Sequence, residues 1–166
     1  SLNNKLEGIY AYGCAISHLP ATFFINMTGL KEVFLYSNQP KTLPVCLGSC
    51  GLETQPSLTY LRFDSNQIEY IPYTFLMNSP VVTTIRLYYN KLKEILNIGY
   101  CKQSLVYLNF KGNEITSAPL QSFLAENENA SSASPCALTH LYLENNKLST
   151  INDSVMELLV NLDTLD

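Results

Sequence analysis

Two histidines, five cysteines and fourteen carboxylates are the side chains of this 166-residue chain that could do covalent or metal chemistry. Their spacing assembles none of the usual arrangements. His18 and His140 stand far apart, so neither a two-histidine metal site nor a Cys-His dyad follows simply. Cys46-x-x-x-Cys50 lacks the second pair that a zinc site requires, and no glycine-rich phosphate loop occurs. No catalytic residue, metal or cofactor is therefore expected. What stands out is a chemistry of recognition. In the stretch VVTTIRLYYN, residues 81–90, Val82, Ile85 and Leu87 alternate with polar partners, as in a strand with one buried face. The opposite face carries Arg86, Tyr88 and Tyr89, two residue types that concentrate at binding hot spots.

The elements that position these residues emerge from internal repetition. LEGIYAYGCAI (6–16), LKEVFLYSNQP (30–40), LTYLRFDSNQI (58–68), VTTIRLYYNKL (82–92), LVYLNFKGNEI (105–115) and LTHLYLENNKL (138–148) share one frame of apolar positions ending in Asn or Cys. A seventh copy begins at Leu162. The period is about 24 residues. One copy holds too little apolar surface to offset its ordering entropy, whereas stacked copies bury each apolar row against the next.

This frame resembles the leucine-rich repeat family across nearly the whole chain. The return phrases LPATFFINMTGL (19–30), IPYTFLMNSPVV (71–82) and INDSVMELLVNL (151–162) are similar to the typical 24-residue class. The resemblance implies an α/β-type solenoid, a horseshoe of about six and a half repeats. Its concave face would be a parallel β-sheet, with loops or short helices as return segments. Two loops run long, Leu43 to Pro56 by about four residues and Ala118 to Ala137 by about nine. Asn38, Asn66, Asn90, Asn113 and Asn146 share the position just after each strand, where a short amide can bond orphaned backbone groups. A buried asparagine ladder is expected, with Cys14 as its first, structural member.

In this frame the variable strand positions point out of the hollow. They hold Tyr10, Tyr12, Phe34, Tyr36, Tyr60, Arg62, Asp64, Arg86, Tyr88, Tyr89, Tyr107, Lys111, His140 and Tyr142. Eight of the eleven tyrosines and both arginines thus map to one face. Arg62 and Arg86 fall on adjacent strands, about 5 Å apart. Aromatic neighbours also stabilise a sheet that binds nothing, so the concentration on one face carries the reading. Asp64 is expected to pair with Arg62 or Arg86, while Glu32, Glu144 and Asp166 lie toward the ends. Asp64 and Glu144 stand three strands apart, too far for a catalytic carboxylate pair. The expected ligand is a protein or peptide, polar and partly acidic at its centre, with aromatic contacts on either side.

With Cys14 in the ladder, Cys46, Cys50, Cys101 and Cys136 form an even set suited to two disulfides. Cys46 with Cys50 is the simplest pairing, and Cys101 with Cys136 would pin the second long loop. Sequons at Asn26, Asn129 and Asn152 are about as numerous as composition alone provides, but all fall outside the strand faces. A net charge of -4 and scattered basic residues argue against nucleic acid, despite the tyrosines. No apolar run approaches the roughly 18 residues of a membrane span. The chain starts shortly before Leu6 and stops at Asp166 in mid-strand with no visible cap. Residues 1–166 are therefore expected to be one solenoid, a segment of a longer array. The expected setting is an extracellular or cell-surface receptor or adhesion protein. An intracellular, cytoplasmic scaffold with reduced cysteines is the alternative, and purely structural repeats are a third reading.

Overall fold

The computed structural model describes residues 5–47, 56–100, 103–124 and 133–166. Seven strands lie in one parallel sheet in chain order: β1 (Gly8–Tyr10), β2 (Glu32–Phe34), β3 (Tyr60–Arg62), β4 (Thr84–Arg86), β5 (Tyr107–Asn109), β6 (His140–Tyr142) and β7 (Thr164–Leu165). The strands are short, but hydrogen bonding extends past both ends. Thr83 N–H donates to Thr59 O before β4, and Tyr89 N–H donates to Lys111 O after it. Every register pair is in frame, so Ile9, Val33, Leu61, Ile85, Leu108, Leu141 and Leu165 form one row across the sheet.

That row, and those beginning at Leu30 and Leu35, are the core the repeat frame requires. Val33, Leu61, Ile85, Leu108 and Leu141 are buried, as are Leu35, Phe63, Leu87, Phe110 and Leu143 one pleat further on. Burying each such side chain contributes roughly 1.5–3 kcal/mol, which no isolated repeat could gather. The return segments are mostly turns. Pro20 and Pro72 each open one, with Phe23 N–H donating to Pro20 O and Phe75 N–H to Pro72 O. A 3-10 turn spans Leu120–Phe123, and the one α-helix among the described residues, α1, spans Asp153–Met156. Phe24, Phe75 and Phe123 plug the back of the core.

The turn that follows each strand explains how the hollow is built. Gly13, Ser37, Ser65, Tyr89, Gly112 and Asn145, each just before the ladder residue, all have positive φ, from 54° to 66°. This left-handed step swings the next side chain inward. Asn90 then accepts from Ile68 N–H at 3.0 Å and donates to Phe63 O and Leu87 O, both at 3.0 Å. Asn113 repeats the pattern with Leu92, Leu87 and Phe110, and Asn146 with Ile115, Phe110 and Leu143. Pro40 occupies the frame position of Ile68 and has no N–H to give, and Asn66 Oδ1 accepts from Asn38 N–H at 2.8 Å. The asparagine ladder is thus present. Asn38, Asn66, Asn90 and Asn113 are buried, Asn146 is half-buried, and Cys14 is exposed on the outermost repeat, its thiol donating to Tyr12 O.

Cys46 is buried and disulfide-bonded, while Cys50 lies outside the described residues. Cys136, expected to bridge to Cys101, is buried in the apolar core. Cys101 lies outside the described residues. Asn26 and Asn152 are exposed, and Asn152 caps α1 by accepting from Ser154 N–H; Asn129 lies outside the described residues.

Candidate functional site

The side chains that leave the sheet on the side away from the core form three rows, set by the register. One runs Gly8, Glu32, Tyr60, Thr84, Tyr107, His140; the next Tyr10, Phe34, Arg62, Arg86, Asn109, Tyr142. The third, continuing each strand by two residues, runs Tyr12, Tyr36, Asp64, Tyr88, Lys111, Glu144. All fourteen side chains expected on the concave face belong to this surface, Tyr89 at its margin.

The aromatic residues meet in two groups. Toward β1, Tyr12 stacks on Tyr36 with centroids 4.8 Å apart, and Phe34 lies between Tyr10 at 5.3 Å and Tyr60 at 5.2 Å. Toward β6, Tyr107 touches Tyr142 at 5.4 Å and His140 at 6.0 Å. The Tyr10 hydroxyl donates to the Glu32 carboxylate, which raises the Tyr10 pKa above that of an ordinary phenol. Tyr10 and Tyr12 remain 57% and 53% exposed. Those two rings are packed laterally yet open to solvent above, and Phe34, Tyr36, Tyr60, Tyr107, His140 and Tyr142 are half-buried, together a low-entropy contact surface with polar tips.

Between these groups lies the charge. Arg62 Nε donates to Asp64 Oδ1 at 2.8 Å, one Nη reaches Asp64 Oδ2 and the Tyr88 hydroxyl, and the guanidinium sits 3.8 Å over the Tyr36 ring. The hydrogen bond that Arg62 donates to Asp64 is the main reason the Arg62 pKa is raised. Tyr88 is also held above its ordinary value, first by burial and then by the neighbouring Asp64 carboxylate. Asp64 is only 2% exposed, so this ion pair belongs to the framework of the hollow. Lys111 pairs with Glu144. Arg86 sits differently. Its guanidinium carbon lies 5.6 Å from the Tyr60 centroid and 5.5 Å from that of Tyr107, and its buried Nε has no hydrogen-bond partner.

Asn109 belongs to this surface although its residue type did not mark it. It occupies the frame position of Arg62 and Arg86, donates to the Tyr107 hydroxyl at 3.2 Å and accepts from Lys111 N–H. The frame alone would have found it. His18 is exposed and lies outside the strands. Among the described residues no group of three His, Cys, Asp or Glu side chains could hold a metal ion, and no helix is long and apolar enough to cross a membrane.

A family model described as Leucine Rich Repeat matches residues 137–159, and the leucine-rich repeat domain of APL1B superposes with a TM-score of 0.67. The chain is a leucine-rich repeat protein. The superposition is at 21% identity and covers 88% of this chain and 40% of that one. By sequence, this leucine-rich repeat protein is 30% identical over 130 residues to osteomodulin of Bos taurus, covering 78% of this chain and 26% of that protein. It is 28% identical over 134 residues to keratocan of Danio rerio, covering 77% and 32%. The chain thus spans about a quarter to a third of the length of the curated relatives it matches.

Proposed function

We propose that this leucine-rich repeat protein recognises an extended protein or peptide segment through its concave face, in an extracellular or cell-surface setting, as part of a receptor or adhesion-type protein. The fold and the relatives are those of binding proteins. The observation that carries the finer reading is the continuity of aromatic rings over β1 to β6, exposed at Tyr10 and Tyr12 and half-buried from Phe34 to Tyr142, with Arg62 and Arg86 between the two groups. Tyr and Arg offer large contact area at low entropic cost, so such a strip is suited to a partner laid across the strands. The extracellular setting rests on osteomodulin and keratocan, which are secreted small leucine-rich proteoglycans of the matrix.

The test is an array of purified extracellular proteins probed with the chain and with two double variants. Tyr36→Ala/Tyr107→Ala removes concave rings, and Tyr70→Ala/Tyr73→Ala removes two exposed rings beside a cavity of about 470 Å3 among the return segments. A partner should lose at least about tenfold in affinity with the first variant and little with the second. The reverse order would place recognition on the return side and refute the proposal.

A further inference from the structure

The hollow contains three cations among the described residues, and the protein neutralises two of them itself. Arg62 is engaged by Asp64 and Tyr88, and Lys111 by Glu144. Arg86 has neither ion pair nor hydrogen bond. Its register partners are Arg62 on β3, already engaged, and uncharged Asn109 on β5. Its own strand offers Thr84 and then Tyr88. Of the buried side-chain polar atoms among the described residues, only Ser79 Oγ and Arg86 Nε lack a partner, and only the second is in the hollow. Leaving a buried donor unsatisfied costs free energy that a partner would recover.

We infer that Arg86 is the receptor for one carboxylate, an Asp or Glu side chain of the segment that lies across the sheet. This rests on the concave-face reading above. The rings of Tyr60 and Tyr107 hold the guanidinium from both sides by cation–π attraction, so little freedom remains to be lost on binding. A planar guanidinium presents a fork of donors that matches a carboxylate. The local charge selects a monoanion. Asp64 is spent on Arg62 and Glu144 on Lys111, so one positive charge is uncompensated at the centre, and a dianion would find no second free cation there. The two aromatic groups begin one strand away on each side, about 4.8 Å. At about 3.3 Å per residue of extended ligand, the acid should be flanked within about two residues on both sides by apolar or aromatic side chains.

The experiment is selection of random twelve-residue peptides displayed on phage against the immobilised chain, followed by calorimetric affinities of synthetic versions. Enriched peptides should carry an acid between apolar residues. Replacing that acid by its amide, or making Arg86→Gln in the protein, should each weaken binding at least about tenfold, and doing both should weaken it little further. Arg86→Lys, which keeps the charge but loses the fork, should fall between. Circular dichroism melts of both variants control for folding. Enriched peptides without an acid, or acidic peptides that bind Arg86→Gln as well as the parent, would overturn the carboxylate assignment. In either case, loss of binding in Tyr36→Ala/Tyr107→Ala leaves the concave reading standing, whereas undiminished binding by that variant removes both.

Discussion

Tyr89 has a backbone its residue type disfavours. Its φ is 55°, a left-handed conformation that costs a bulky side chain roughly 1–2 kcal/mol. The same frame position holds Gly13, Ser37, Ser65, Gly112 and Asn145, residues that accept this geometry more readily. Tyr89 is 53% exposed, so core burial does not account for it. Its ring meets Tyr88 edge-on and lies over Gly112, where a Cβ would come within 2.5 Å of it. Gly112 therefore has two reasons to be glycine, its own φ of 66° and the ring above it. Gly112→Ala should destabilise the fold by about 1–3 kcal/mol, and Tyr89→Asn should stabilise it by about 0.5–1 kcal/mol, both measured by urea unfolding. A neutral Gly112→Ala would mean that the ring and backbone relax freely. The alternating pattern placed Tyr89 beside the hollow, but the strained turn beneath it lies in backbone angles that no residue pattern states.

The asparagine ladder does for each turn what a helix cap does for a helix end: it pairs backbone groups that the change of direction would orphan. Asn90 serves three such groups in the middle of the solenoid, all buried, whereas Asn38 serves the N–H groups of Cys14 and Ile16 and the carbonyls of Ala11 and Leu35, all but the last only part-buried. Asn90→Ala should cost about 2–4 kcal/mol, because Ile68 N–H and two carbonyl oxygens lose a partner where water cannot easily enter. Asn38→Ala should cost less, about 1 kcal/mol, as solvent replaces part of what is lost. Equal losses in thermal or urea unfolding would contradict this view of the ladder. At this scale the sequence was most legible. The period, the strands, their parallel order and the ladder positions follow from the spacing of Leu, Ile, Val and Asn, because stacking allows few other solutions. What was illegible concerned pairings between repeats. Nothing in the pattern tells whether Asp64 joins Arg62 or Arg86, or that Asn109 completes the middle row.

Across the molecule, each repeat rests on its neighbours and the sheet makes one continuous surface, so side chains distant in sequence become adjacent at the spacing of strands. Tyr12 and Tyr36, or Tyr60 and Tyr107 on either side of Arg86, become neighbours only through this stacking. The core rows fix the positions of the rings and ion pairs, and the hollow is organised before any partner arrives. The most direct test is hydroxyl-radical footprinting of the tyrosines, with and without a partner bound, read by mass spectrometry. Protection of Tyr36, Tyr60, Tyr107 and Tyr142 with unchanged oxidation of Tyr70 and Tyr73 is the predicted result. Protection of Tyr70 and Tyr73 while the four concave tyrosines oxidise as before would contradict recognition through the hollow.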